Sequence, residues 1–215
     1  MLDTHRHRGL RHRLVTELEK KGIKDHRILE AFRDIPRHYF LDVAFADWAY
    51  KDVAFPIDAD QTISQPYTVA IQTQLLDVKP GDNILEIGTG SGFQACVLSY
   101  LGCKVYTIER QKVLFEKTSN LLKRLGFGKI RTLFGDGYEG APRFAPFDKI
   151  IVTAGATELP EKLFSQLRVG GYMVIPHGEG EVQKMLRITK GEGNTIIKED
   201  FGDFRFVPFL KGIQL

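Results

Sequence analysis

The spacing of apolar and polar positions predicts a helical segment at the start of the chain. Leucine recurs at every fourth position from residue 10 to residue 18, so a helix over 9–21 would present one apolar face. Two shorter helical stretches follow, one behind the capping residue Asp25 and one over 37–45. Residues 51–66 are loop-like, and a loop of this length inside a compact domain usually has a function.

From Lys79 onwards, short apolar runs typical of buried strands alternate with helical patterns. This alternation predicts an α/β fold with a doubly wound, mostly parallel, Rossmann-like sheet that has helices on both faces. The last two strand-like runs flank residues 191–194 and predict a hairpin that forms an antiparallel C-terminal edge. We expect a single domain over 1–215, with a helical N-terminal segment and loop at 1–66 and an α/β core at 67–215.

The clearest local motif is LEIGTGSGF at residues 85–93, where a strand-like run leads into a helical one. Glycines at such a turn let the backbone approach a ligand closely and adopt positive φ without strain. A dinucleotide loop would need a third glycine where Phe93 stands, and a P-loop would need GK[ST]. The observed pattern, Glu86 followed by GxGxG, instead resembles the loop with which class I methyltransferases bind S-adenosylmethionine.

Two acidic residues follow the next strands of this pattern. Glu109 ends the run KVYTIE, 17 residues after Gly92, and a carboxylate there can accept hydrogen bonds from both hydroxyls of a ribose. Asp136 lies in the GDG turn at 135–137, behind the third strand, where it could meet an adenine amino group. Ligands of open α/β sheets bind at the carboxyl ends of the strands, so we expect both residues to face one ligand.

Composition is that of an ordinary globular protein. The 215 residues are 43% hydrophobic and 27% charged, which excludes wholesale disorder, and no apolar run approaches the ~20 residues that span a bilayer. The N-terminus lacks the apolar core of a signal peptide, so the cytoplasm is the expected compartment. The two cysteines and six histidines show no metal-ligand spacing, so we expect reduced thiols and no metal site.

The basic excess is confined to residues 1–13. This arm carries four arginines against Asp3, which equals the whole net charge of +3, and the rest of the chain has 26 basic and 26 acidic residues. A basic arm can bind nucleic acid. We favour a solvated, partly frayed start of the first helix, because chain ends are usually poorly ordered.

The loop before the sheet narrows the interpretation further. The sequence DQTISQPYTVA at 60–70 closely resembles the characteristic segment of protein-L-isoaspartate O-methyltransferases. Tyr67 departs from that family, many of whose members have His or Met after the proline. Five further segments resemble the family in its order and spacing: LEIGTGSGF, the GDG turn, FDKIIVTAGA (147–156), LRVGGYMVIPHG (167–178) and FRFVPF (204–209).

The resemblance implies transfer of a methyl group from S-adenosylmethionine to the free α-carboxylate of isoaspartyl residues, which form when Asn deamidates or Asp isomerises. The cofactor product is S-adenosylhomocysteine. The methyl ester then collapses to a succinimide, and hydrolysis returns some normal aspartate, so the reaction begins protein repair.

The resemblance also implies roles for individual residues. Ser64 would be the catalytic residue, acting as a hydrogen-bond donor that orients the substrate carboxylate and not as a nucleophile. Substrate contacts are implied at Thr62, Ser64, Val207 and Pro208. Cofactor contacts are implied at Ile63, Glu86, Gly88, Thr89, Gly90, Gly92, Glu109, Asp136 and Gly137.

Two other functions stay open at this point. A methyltransferase acting on RNA would suit the basic arm, although the fourth strand is followed by VTAGA and not by an NPPY-like tetrapeptide. A cofactor-binding protein without catalysis is the other, and the intact TIS segment argues against it. We expect a monomer that binds isoaspartyl proteins and neither nucleic acid nor membranes.

The only tryptophan, Trp48, is expected to anchor the N-terminal helices on the sheet.

Overall fold

A computed structural model describes residues 2–215 of the chain. The α-helices are α1 (His5–Lys20), α2 (His26–Asp34), α3 (Pro66–Leu76), α4 (Phe93–Tyr100), α5 (Lys112–Arg124) and α6 (Glu161–Ser165). Short 3-10 helices occupy Arg37–Phe40, Val43–Tyr50, Pro142–Phe144 and Glu192–Asn194. The strands are β1 (Phe55–Pro56), β2 (Thr62–Ile63), β3 (Asn83–Ile87), β4 (Lys104–Glu109), β5 (Arg131–Phe134), β6 (Phe147–Val152), β7 (Leu167–His177), β8 (Gln183–Lys190) and β9 (Ile196–Phe204).

The main sheet has seven strands in the order β5-β4-β3-β6-β7-β8-β9. Strands β3 to β7 pair in parallel, whereas β8 and β9 are antiparallel additions at one edge. The predicted α/β class, the mostly parallel sheet and the hairpin around 191–194 are therefore confirmed. β3 is flanked by β4 on one side and β6 on the other, and ligands of such sheets bind where the strand order reverses.

Burial of β3 on both faces explains its almost unbroken apolar sequence. Ile84 packs into a core cluster with residues of α1 to α4, and the adjacent Leu85 packs into a second cluster that includes α6. Successive side chains of a strand point to opposite faces, so helices cover both sides of the sheet. The ends of β3 are thereby held rigidly at the centre of the molecule.

The N-terminal helix starts inside the basic arm. α1 begins at His5, where the Thr4 side chain accepts a hydrogen bond from the His7 amide at 3.3 Å and the His7 ring caps in return. Arg11 is buried and donates to both carboxylate oxygens of Asp3, at 2.8 and 2.9 Å. The expectation of a solvated, frayed arm is therefore wrong for His7 and Arg11, because tertiary partners bury both side chains.

The fold also brings together Asp3, His7 and His38, whose possible ligand atoms lie within 4.8 Å of one another. Sequence spacing gave no sign of this group, because His38 reaches it from a different helix. Asp3 is already paired with Arg11, and the two imidazole rings stack at 4.0 Å between centroids. Burial lowers the pKa of His38 to about 4, so its ring is neutral at pH 7.

The stretch predicted as helical over 37–45 forms two 3-10 helices instead of an α-helix. Asp42 caps the second by accepting from the Ala44 amide at 3.0 Å. Trp48 does not anchor the N-terminal helices on the sheet, and that prediction was wrong. Its side chain is 44% exposed and contacts Lys51 and Phe55.

Within residues 2–215, no helix has both the length and the apolarity needed to cross a membrane.

Candidate active site

A cleft of about 1070 Å³ opens at the carboxyl ends of β3 and β4. Three segments form its walls: residues 61–65 of the β1–β2 hairpin, residues 86–91 of the glycine loop, and residues 204–210 near the C-terminus. The cleft therefore combines the predicted cofactor loop with both of the predicted substrate segments.

The glycine loop bends sharply between β3 and α4. Gly88 has a φ of +93°, and a side-chain carbon there would lie 2.6 Å from the Thr153 hydroxyl oxygen. The Gly88 and Thr89 amides donate to the Ile108 carbonyl at 2.9 and 3.1 Å, which fixes the loop against β4. Only a residue without a side chain fits at Gly88, so the backbone itself forms this part of the cleft wall.

Two residues of the predicted cofactor set do not line the cleft. Gly92 caps α4, and a side-chain carbon there would lie 2.7 Å from the Thr118 methyl group on α5. The Asp136 carboxylate accepts from the Tyr138 and Gly212 amides at 2.9 and 2.7 Å. It therefore links the turn in which it lies to the C-terminal segment of the chain. Gly137, the neighbour of Asp136, does line the cleft.

Glu109 ends β4 beside the glycine loop. Its carboxylate accepts from the Gly90 and Gln111 amides, each at 2.9 Å. An ionised carboxylate can accept about four hydrogen bonds, so Glu109 keeps acceptor capacity toward the cleft that it lines.

Glu86 is fully buried at the inner end of the cleft. Within the described residues, neither of its carboxylate oxygens has a hydrogen-bond partner. Burial raises the pKa of Glu86 to about 8; the nearby Thr107 hydroxyl, which is too poorly placed to count as a hydrogen-bond partner, lowers it in part, and the Glu109 charge adds a smaller increase. A buried acceptor without a partner is costly, so the site is incomplete without a ligand that donates hydrogen bonds or carries positive charge.

Ser64 follows β2 on the opposite wall and is half-buried. The hairpin that carries it pairs Phe55 with Ile63. The guanidinium of Arg37 donates to the Ser64 carbonyl at 2.7 Å and lies over the Phe93 ring, 4.8 Å from its centroid. Arg37 thus links the serine segment to the helix that follows the glycine loop.

Asp52 holds the other side of the serine segment. Its carboxylate accepts from the Tyr67 amide at 2.7 Å and from the Gln65 side-chain amide at 3.1 Å. Lys21, the residue that caps the end of α1, pairs with the same carboxylate. The start of α3 behind Pro66 is therefore fixed by a residue outside the TIS motif, which explains how an irregular loop can present Ser64 in one place.

The C-terminal segment passes over the same edge of the sheet. The Gly155 amide donates to the Val207 carbonyl, and the Phe209 amide donates to the Gly155 carbonyl, both at 2.8 Å. The Phe209 ring stacks on Tyr138 at 3.9 Å. Val207 and Pro208 consequently line the cleft opposite the hairpin that carries Ser64.

The structure brings most of the predicted residues together, with the exceptions of Gly92 and Asp136. Sequence reasoning missed Arg37, Asp52 and Thr153, because each acts through backbone groups far away in the chain. No spacing in the sequence indicates such contacts. The one sign in the sequence that pointed to such a role is the position of Arg37 inside the apolar stretch IPRHYF.

The seven-stranded fold, the glycine loop and the carboxylate at the end of the second strand of the sheet define a class I S-adenosylmethionine-dependent methyltransferase. Comparison with known proteins gives the family. The family model for protein-L-isoaspartate(D-aspartate) O-methyltransferase matches residues 9–214, and the chain belongs to that family.

Individual relatives agree with this assignment. The chain is 57% identical to the protein-L-isoaspartate O-methyltransferase of Flavobacterium psychrophilum, over 98% of this chain and 99% of the relative. It also resembles a solved protein-L-isoaspartate O-methyltransferase with a TM-score of 0.84 and 30% identity, covering 92% of this chain and 65% of that longer one. A Plasmodium falciparum structure, described as a putative member in complex with S-adenosyl-L-homocysteine, gives a TM-score of 0.79 at 27% identity, with 93% and 97% coverage.

Proposed function

We propose that this protein transfers a methyl group from S-adenosylmethionine to the free α-carboxylate of isoaspartyl residues. In this proposal the inner wall of the cleft binds the cofactor and the outer wall binds the substrate. The observation that carries it is that the Ser64 hairpin and the glycine loop line the same cleft. The resulting ester is the first intermediate of a repair reaction that proceeds through a succinimide.

The residues of the inner wall fit the cofactor. Gly88 and Gly90 provide backbone without side chains, and the Thr89 hydroxyl is hydrogen-bonded to the Thr107 hydroxyl at 2.7 Å. Glu109 provides acceptors for ribose hydroxyls. Glu86 offers a carboxylate without a partner among the described residues, which suits a cationic ligand group. When bound, S-adenosylmethionine supplies an electrophilic methyl group and a neutral thioether leaving group.

The complete proposed cofactor set keeps the residues that support the loop as well as those that line it. Gly92 supports the loop by allowing α4 to approach α5, and Asp136 by fixing the turn that presents Gly137. The set is Ile63, Glu86, Gly88, Thr89, Gly90, Gly92, Glu109, Asp136 and Gly137.

On the outer wall, the Ser64 hydroxyl is a donor that can orient one carboxylate oxygen of the substrate. Thr62 lies beside it, and Val207 and Pro208 flank the substrate peptide from the other side of the cleft. The attacking group is a carboxylate with an ordinary pKa near ~4, so it is ionised at pH 7 and needs no general base. What the protein adds is positioning, which can supply roughly 7–11 kcal/mol when reactants are held in near-attack geometry.

We also propose that one chain forms a complete site and works as a monomer in a single domain. The proposal is supported by the content of the cleft, since one chain supplies both the glycine loop with Glu109 and the two segments proposed for the substrate.

One assay tests the function. The protein is incubated with methyl-labelled S-adenosylmethionine and, in parallel, an isoaspartyl peptide, its normal aspartyl twin and a structured RNA. We expect base-labile label on the isoaspartyl peptide alone. Label on the RNA would establish the alternative methyltransferase, and cofactor binding without any labelled product would establish a site that does not catalyse.

A further inference from the structure

An exposed aromatic patch lies next to the hairpin that carries Ser64. It consists of Phe45, Trp48 and Phe55, with ring centroids 4.8 Å apart for Phe45 and Phe55 and 5.8 Å apart for Trp48 and Phe55. The side chains of Phe45 and Trp48 are 42% and 44% exposed. Large apolar side chains that cluster at a surface mark interaction sites more often than isolated ones do.

The patch is continuous with the cleft. Phe55 is the strand partner of Ile63, the residue directly before Ser64, and the neighbouring Ala54 lines the cleft. Paired residues of antiparallel strands lie about 5 Å apart. Trp48 lies one ring further out, 5.8 Å from Phe55 between ring centroids. An extended peptide advances about 3.3 Å per residue, so a chain that runs from Ser64 along the hairpin reaches this patch within a few residues.

Apolar side chains also stand exposed at the opposite rim of the cleft. Val182 and Phe201 both line it, with 44% and 37% exposure. A peptide that leaves the cleft on either side therefore meets apolar surface. Lys51 covers one face of Trp48, 3.7 Å from the ring, and holds the indole in place.

We infer that the aromatic patch is a subsite for substrate polypeptide, which binds apolar or aromatic side chains two to four residues away from the isoaspartyl residue. This inference rests on the proposed function, because the occupant is the flanking part of the same peptide. It predicts that the enzyme favours damaged sites in sequences that are normally buried and become accessible when the protein unfolds.

The test compares two isoaspartyl peptides that differ at one position, which carries Phe in one and Ser in the other. Pairs are made for each of the positions two to four residues on either side. On one side of the isoaspartyl residue, we expect the KM of the Ser peptide to exceed that of the Phe peptide by about 5- to 10-fold, because partial burial of one aromatic ring strengthens binding by about that factor. In the double variant Phe45→Ser, Trp48→Ser, the ratio of the two KM values should fall to about 1.

A matched control uses exposed valines elsewhere on the surface. Val113 and Val169 are 59% and 55% exposed and do not line the cleft. The double variant Val113→Ser, Val169→Ser should keep the wild-type ratio. A KM ratio near 1 in the wild-type protein, with both peptides methylated, would overturn the subsite, whereas failure to methylate any isoaspartyl peptide would overturn the proposed function.

Trp48 provides a second readout because it is the only tryptophan in the chain. With S-adenosylhomocysteine present, the Phe peptide should shift or quench its fluorescence at concentrations near KM, and the Ser peptide should do so only at higher concentrations. An unchanged spectrum at saturation would contradict the subsite. A stable dimer that the Phe45→Ser, Trp48→Ser variant dissociates would also overturn it, by showing that a second copy covers the patch.

Discussion

The wall of the cleft that holds the cofactor and the wall that holds the substrate are built in different ways. The cofactor wall consists of residues 86–90, at and directly after the end of β3, and of Glu109, the last residue of β4. The substrate wall consists of a hairpin with two-residue strands and of residues 204–209, most of which lie outside any strand. Regular strands position the first wall, whereas individual polar anchors position the second.

The comparison shows which substitutions should alter the substrate wall without altering the cofactor wall. Backbone groups held by a buried sheet tolerate little alteration, because the strands on both sides fix them. The substrate wall depends on single side chains, such as Arg37 and Asp52, whose removal would affect one loop. Substitutions should therefore separate cofactor affinity from turnover.

The largest separation is expected for Ser64→Ala. The variant loses the hydroxyl that orients the carboxylate, so kcat should fall by about 100-fold, as is typical for one lost donor at a reacting group. The affinity for S-adenosylhomocysteine, measured by calorimetry, should stay within about twofold of wild type. Ser165→Ala, at an exposed position on α6, is the control. Lost cofactor affinity together with an unchanged single-turnover rate would contradict the assignment.

Gly88→Ala should produce the opposite result. The new methyl group meets the Thr153 hydroxyl in a backbone conformation with φ of +93°, so the loop must move. Positive φ and overpacking together correspond to about 10- to 100-fold weaker binding of S-adenosylhomocysteine. Gly126→Ala is a strict control, since its φ is +86° but nothing lies within 4 Å of the new carbon. Equal loss of affinity in both variants would show that backbone strain alone is responsible.

Glu86→Gln tests the cofactor wall through pH. Because burial raises the pKa of Glu86 to about 8 in the folded protein, the folded chain binds this proton more tightly than the unfolded chain. The stability that this proton provides is complete below the unfolded value near 4.5 and is lost as pH rises through 8. Gln mimics the protonated acid at every pH.

In urea titrations of the cofactor-free protein, the variant should match wild type near pH 5. At pH 9 its free energy of unfolding should be higher by about 1 kcal/mol or more. The same variant should bind S-adenosylmethionine more weakly than wild type does. Identical stability curves over the whole pH range would mean that Glu86 titrates normally.

The smallest effect is expected for Arg37→Lys. The shorter ammonium cannot reach the Ser64 carbonyl with the same geometry, and the burial that lowers the pKa of Arg37 to about 9 also disfavours the charged form of a lysine there. The loss of one hydrogen bond to a backbone carbonyl should lower kcat about threefold and leave cofactor affinity unchanged. Arg33→Lys, exposed on α2, controls for the substitution itself. If cofactor affinity and kcat fell together, Arg37 would be shown to stabilise the fold in general and not to position the Ser64 segment.

The same contrast explains what the sequence could predict. The alternation of strands and helices, the glycine turn and the position of Glu109 depend on local patterns, namely apolar runs, glycine spacing and a residue at the end of a strand. The exposed Trp48 and the buried Arg11 were predicted wrongly, because their environments depend on segments that meet only in the folded chain. The role predicted for Ser64 rests on family resemblance, whereas Arg37 and Asp52, which hold its segment in place, have no local pattern.

The open edge of the sheet at β9 affects how this enzyme interacts with other extended polypeptide chains. β9 is an outermost strand of nine residues, and within residues 2–215 one of its sides has no neighbouring strand in the sheet. Unfolded chains tend to add to such edges and start aggregates. β9 carries Lys198, Glu199, Asp200 and Asp203, and charged side chains on an edge strand oppose this kind of addition. The charged edge therefore opposes the addition of extended segments from the isoaspartyl proteins on which this family acts.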